Sequence, residues 1–307
     1  MEILYFFESI RNPVFDFIVS LITELGGELI FIIVGMTMFW CVDKKQGYFV
    51  LIVGFFGVYI NQFLKLIFRI PRPWKIDPEF TIVEAAREAA SGYSFPSGHT
   101  QNAVGCFGTI AACRKELWVR VICIAVCTLI PLSRMYLGVH TPLDVGVSIA
   151  IALILIVGIG FLFKRFGDSP NLIYTFAAIL SVLGLAFMIY CNFWSFPADI
   201  DAENLASATK NSYSLFGALL GMWLVYVIDC KYLKFDTKAS PLGQILKMAL
   251  GFPLLILILE GSKPLLNLLF PESPIARIFR YFATVLFAGI IWPMTFKYFA
   301  KIGKKKD

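Results

Sequence analysis

Only two histidines occur in the 307 residues, His99 and His140, and each stands in a short polar clause of an otherwise apolar sequence. His99 belongs to Tyr93-Ser94-Phe95-Pro96-Ser97-Gly98-His99-Thr100, directly before an apolar run. His140 follows Ser133-Arg134 and is followed four positions on by Asp144. A third clause supplies Lys65 and, seven residues later, Arg72-Pro73. The sum is three permanent cations, two imidazoles, one carboxylate and a glycine-containing helix start. Such a set suits a tetrahedral dianion with a nucleophile beside it.

Each residue type has a physical reason to be there. Arg72 and Arg134 offer planar forks matched to phosphate oxygens, and Lys65 a movable point charge. Any one of them alone also reads as a cation snorkelling at a span end. Ser97 and Gly98 open a helix, whose free N–H groups favour anions, and Gly98 lets the backbone approach an oxygen. Ser97 is equally an ordinary N-cap. Thr141-Pro142 reads as N-cap and first helical position, with Asp144 in the first turn, where a carboxylate stabilises the start. At i+4 from His140, Asp144 is also placed to accept an imidazole N–H, fixing the tautomer as the third member of a catalytic triad does. An imidazole so held can attack phosphorus, and His99 can protonate the leaving oxygen.

These clauses must be positioned by membrane helices. The chain is 58% apolar and 16% charged, with a mean hydropathy of +0.76. Apolar runs of about 20 residues, enough to cross ~30 Å of hydrocarbon as helix, recur along it. The reading is an all-α polytopic membrane protein, because alternating strand patterns of a barrel are missing. Nine spans are expected, near 26–42, 48–70, 99–113, 117–133, 142–163, 171–191, 212–229, 243–269 and 278–296. Residues 1–24 carry too many charges to span and read as an interfacial amphipathic segment. A small helix is expected over 78–91. The N-terminus lacks the pattern of a cleavable signal. The seven cysteines read as small buried hydrophobes, not as metal ligands.

With nine spans and the N-terminus outside, most basic residues gather on one side, among them Lys44, Lys45, Arg114, Lys115, Lys164 and Arg165. The positive-inside rule makes that side cytoplasmic and puts His99 and His140 on the opposite, outer face. The net charge of +6 is then a topology signal, and no nucleic-acid partner is expected.

The three clauses resemble, residue for residue, the signature of the type 2 phosphatidate phosphatase superfamily: Lys-x6-Arg-Pro, Pro-Ser-Gly-His, and Ser-Arg-x5-His-x3-Asp. Lipid phosphate phosphatases, polyprenyl diphosphate phosphatases, sphingosine phosphate phosphatases and glucose-6-phosphatases share it. The resemblance implies His140 as nucleophile through a phosphohistidine, Asp144 as its orienting partner and His99 as general acid. It further implies that Lys65, Arg72, Ser97, Gly98 and Arg134 hold the phosphoryl oxygens, without metal or other cofactor. A phosphatase core over 25–165 is expected, with accessory spans over 166–307 that wall a cleft or form a homodimer contact. The nine-span plan looks similar to sphingosine phosphate phosphatases and glucose-6-phosphatases.

The expected activity is hydrolysis of a lipid monophosphate or diphosphate whose tail stays in the bilayer. Its rivals are a phosphatase of a soluble sugar phosphate and a non-catalytic lipid transporter. A bacterial plasma membrane is preferred over the endoplasmic reticulum, although Lys304-Lys305-Lys306-Asp307 resembles a dilysine retrieval signal. In the second half, Glu260 and Lys263 are spaced to pair on one helix face, and Arg277 and Arg280 to meet an anionic head group.

Overall fold

The computed structural model describes residues 1–302 apart from 168, 199 and 272; the dilysine-like tail lies outside the described residues. The described residues form helices and connecting turns, with no strand among them. In chain order the main helices are α1 (Glu2–Ser9), α2 (Pro13–Thr23), α3 (Glu28–Thr37), α4 (Lys44–Phe68), α5 (Gly98–Ala103), α6 (Leu117–Tyr136), α7 (Pro142–Phe166), α8 (Pro170–Phe193), α9 (Ala202–Ile228), α10 (Pro241–Leu269) and α11 (Ile275–Leu286). α5 runs on through a π turn, Val104–Gly108, into a last helical piece, Thr109–Cys113.

Seven helical stretches are long and apolar enough to cross a membrane, and α2 with α3 make an eighth if that pair, bent by 50°, is one span. The ninth expected span, 99–113, is helical but short. It starts at Ser97 inside the polar site and stops before Arg114-Lys115-Glu116, so at 1.5 Å per residue it reaches about 24 Å. The helix expected over 78–91 is instead two successive 3-10 turns, Glu84–Ala86 and Glu88–Ala90, joined at Arg87. The cause is a distant partner: Val83 N–H bonds the Leu137 carbonyl at 3.2 Å, which takes the backbone out of a helical ladder.

Two compact units divide the chain. One comprises 1–35, 49–162 and 197–205; the other comprises 36–48, 163–196 and 206–307. All the residues singled out above for chemistry lie in the first. In the second, Trp40 is fully buried and its indole N–H donates to the Ala288 carbonyl at 2.8 Å. Lys44 pairs with the buried Asp229 at 2.8 Å. Glu260 pairs with Arg280 at 3.1 Å rather than with Lys263, and Arg277 donates to Ser214 Oγ at 2.9 Å. These two arginines are therefore held by protein partners from neighbouring helices.

Helix starts follow the local chemistry. Asn12 Oδ1 accepts from Phe15 N–H at 3.1 Å, with Pro13 at the first position of α2. α7 begins with a reciprocal cap. Thr141 N–H donates to Asp144 Oδ2 at 2.7 Å, and Asp144 N–H donates to Thr141 Oγ1 at 3.3 Å.

Candidate active site

The site is assembled from the C-terminal end of α4, the loop 91–97, the start of α5, the end of α6 and the turn into α7. His140 leaves α6 through a turn whose Gly138 has φ +80°. A side chain there would overlap Arg11 Nη2 at 2.7 Å and the Phe80 ring at 2.9 Å, so only glycine lets the chain turn this tightly. Arg11 closes over the turn. Its Nε donates to the Tyr136 carbonyl at 2.9 Å and its Nη1 to the Thr81 carbonyl at 2.7 Å.

His140 is buried, and both ring nitrogens face named groups. Arg72 Nη1 lies 2.9 Å from Nε2. Arginine can only donate, so Nε2 must be the accepting nitrogen and Nδ1 the protonated one. Nδ1 faces Asp144 Oδ2 and Ser94 Oγ, each at 3.5 Å. That is the tautomer a nucleophilic Nε2 needs. Burial first, then the charges of Arg72, Arg134, Lys65 and His99, hold the His140 imidazolium well below histidine's usual range.

Asp144 does more than cap. Its Oδ2 accepts from Ser94 Oγ at 2.6 Å and from Thr141 N–H, and its backbone carbonyl accepts from Ser97 N–H at 3.2 Å. Ser97 Oγ accepts from Thr100 N–H at 3.4 Å, so the capping reading of Ser97 also holds. Ser148 Oγ fastens the Ser97 carbonyl at 2.9 Å, tying α7 to the loop before α5. Above Gly98, the position of a Cβ meets no atom within 4 Å. The space over this helix start is open.

The three cations are held differently. Lys65 Nζ donates to the Tyr93 carbonyl. Arg72 has each nitrogen engaged: Nε with Gly92 O at 3.0 Å, Nη2 with Ser91 O at 2.8 Å, and Nη1 with Val139 O at 2.9 Å and His140. Arg134 is fully buried, and its Nη1 donates to Thr23 Oγ1 at 3.0 Å. Its Nε and Nη2 have no protein partner. Buried guanidinium nitrogens without acceptors are costly, and an anion is what satisfies them. Among the described residues, no group of three or more His, Cys, Asp or Glu side chains is placed to hold a metal ion.

Lys65, Arg72, Ser97, Gly98, His99, Arg134, His140 and Asp144 all lie in one unit, within which Arg72 meets His140, His140 faces Asp144, and Ser97 bonds the Asp144 backbone. Sequence reasoning missed Ser94, although it lies inside the polar clause, because nothing in its spacing marks it. It also missed Thr23, which has no motif around it.

Apolar helices surround buried cations and a His–Asp pair, the arrangement of a membrane protein with a buried polar site. The chain belongs to the PAP2 superfamily, whose pattern matches residues 46–168, and the transmembrane extension of PAP2 superfamily phosphatases matches residues 213–305. The undecaprenyl-diphosphatase BcrC of Bacillus subtilis is 33% identical over 163 residues, which cover 52% of this chain and 79% of that protein. A probable sphingosine-1-phosphate phosphatase of Dictyostelium discoideum is 26% identical over 294 residues, covering 89% of this chain and 68% of that one. Phosphatidylglycerophosphatase B of B. subtilis is 30% identical over 175 residues, covering 52% and 79%. No solved structure matches the chain. These relatives are phosphatases of lipid phosphates by name.

Proposed function

We propose that this protein is a metal-independent membrane phosphatase that cleaves a lipid monophosphate or diphosphate through a phosphohistidine. The observation that carries this reading is the His140 geometry: Nε2 accepts from Arg72, while Nδ1–H is turned to Asp144. A neutral imidazole in this tautomer presents its lone pair to whatever replaces Arg72 Nη1. The names of the relatives support a lipid phosphate.

In the first step the Nε2 lone pair forms an N–P bond as the P–O bond to the lipid breaks. Burial and the nearby Arg134, Arg72 and Lys65 disfavour the His99 imidazolium in the free site; with the phosphoryl dianion bound beside it, His99 carries the proton and gives it to the leaving oxygen. Asp144 stabilises the positive charge that develops on the His140 ring. In the second step water attacks phosphorus, His99 takes a proton from it, and the N–P bond breaks to release phosphate. Arg134, Lys65, Arg72, Ser97 and Gly98 hold the non-bridging oxygens, whose charge grows in the transition state. Arg72 Nη1 passes from Nε2 to a phosphoryl oxygen as substrate enters.

On this reading residues 25–165 carry the chemistry and 166–307 are accessory helices. The basic loops at the opposite helix ends favour an outer-face site in a plasma membrane.

The test is phosphate release by the purified protein, with EDTA present, from phosphatidate, sphingosine 1-phosphate, a polyprenyl diphosphate and glucose 6-phosphate. Release from a lipid substrate, abolished in His140→Ala, is expected. Activity on none of them, or full activity in His140→Ala, overturns the reading. Release from glucose 6-phosphate alone transfers it to a soluble sugar phosphate, and loss of activity on chelation removes the metal-free mechanism.

A further inference from the structure

We propose that Thr23, outside the residues that match the family pattern, is a positioning residue that aims the Arg134 guanidinium at the phosphoryl group. The inference rests on the proposed phosphatase reading.

Thr23 is the last residue of α2 and is 3% exposed. Its Oγ1 accepts from Arg134 Nη1 at 3.0 Å across 111 positions of sequence. This is the bond that the protein makes to the guanidinium; Nε and Nη2 stay unpartnered although the side chain is fully buried. Nε–H and Nη2–H form one edge of the fork, the edge that bonds two oxygens of a phosphate at once. A hydroxyl on Nη1 stops rotation about the last side-chain bonds and leaves that edge free. A carboxylate in the same place would compete for the charge that the phosphate needs. A neutral acceptor orients the group without neutralising it.

The segment carrying Thr23 is fixed from both sides. Ile22 packs against the cluster of Ala103, Val126 and Ile130, which joins α5 to α6. Three residues after Thr23, Gly26 crosses so close to α5 that a Cβ would lie 2.9 Å from the His99 carbonyl and 2.7 Å from Ile130. The N-terminal segment therefore touches the backbone of the His99 turn and the side chain of Arg134 together. Arg72 needs no such helper, because the carbonyls of Ser91, Gly92 and Val139 hold its fork.

The experiment compares wild type, Thr23→Val, Thr23→Ser and His140→Ala in detergent. Readouts are kcat and KM on the lipid substrate, the inhibition constant of inorganic phosphate, and the melting temperature. Valine keeps the shape and removes the acceptor; serine keeps the acceptor. Thr23→Val is expected to raise KM and the phosphate inhibition constant together by about tenfold, the loss of one hydrogen bond's orientation, and Thr23→Ser to restore both to within threefold. A folded Thr23→Val with phosphate inhibition unchanged overturns the proposal, as does a Thr23→Ser that fails to rescue. Should Thr23→Val not fold, Thr23→Ala, which also removes the acceptor, is read by the same criteria. The phosphate constant needs no phosphohistidine. His140→Ala with retained turnover would sink the mechanism alone; normal phosphate binding in Thr23→Val would sink the positioning role alone.

Discussion

Ser94 Oγ donates to Asp144 Oδ2 at 2.6 Å, whereas His140 Nδ1 stands 3.5 Å from the same oxygen. The carboxylate is thus anchored by a serine and a backbone N–H before the imidazole makes any claim on it. Replacing Ser94 by alanine removes a bond to a charged acceptor, worth about 1.5–3 kcal/mol. Part of that is expected in the transition state, as a roughly 10- to 100-fold fall in kcat. Steady-state kinetics of Ser94→Ala check this, and an unchanged kcat would show the serine to be only a packing contact.

Gly98→Ala separates binding from folding. The added methyl meets no protein atom within 4 Å, and φ at this position is not left-handed. Its melting temperature should match wild type. An oxygen that packs on the Gly98 backbone would meet the methyl, so KM and the inorganic phosphate inhibition constant should rise roughly tenfold or more. Unaltered binding would mean that the phosphoryl group sits elsewhere.

The His140 ring should remain neutral well below pH 6.5, about where a free histidine titrates, because burial and the nearby cations disfavour its charge. The unfolded chain takes up that proton near 6.5 and the folded one does not. Stability from this residue is therefore constant above about 6.5 and falls as pH drops from there toward the folded value. With two histidines in the chain, NMR of 13C-labelled imidazole resolves both, and His99→Gln assigns them. A His140 signal that titrates at 6.5 or above contradicts the site electrostatics.

Gly138→Ala should cost stability and activity together. The position has φ +80°, which carries a penalty of about 1–2 kcal/mol for a residue with a Cβ. The methyl also collides with Arg11 and Phe80. The turn it distorts leads to His140, so kcat should fall along with the melting temperature. A variant that melts lower yet keeps wild-type kcat would show that the turn does not set the position of His140.

Much of the site was legible in the chain. Lys65, Arg72, Ser97, Gly98, His99, Arg134, His140 and Asp144 are dense polar residues in apolar surroundings, and burying such groups in a membrane is costly unless they act together. The helices were legible because apolar length is a linear property. Thr141-Pro142 and Asp144 showed their cap because capping is decided within four residues. The 78–91 segment reads as helix from its sequence but does not form one, because its Val83 N–H is claimed by Leu137, a partner far along the chain.

The sequence by itself determined the helical class, the three clauses and the cation-rich chemistry, since all of these rest on residue type and short spacing. Only the tertiary structure decided that Ser94 holds Asp144, that Arg72 covers His140 Nε2, and that Thr23 meets Arg134. Each of these bonds joins side chains 50 or more positions apart. No local pattern records a hydroxyl's partner at such separation; the packing of α2 and the 91–97 loop against the ends of α6 and α7 selects it.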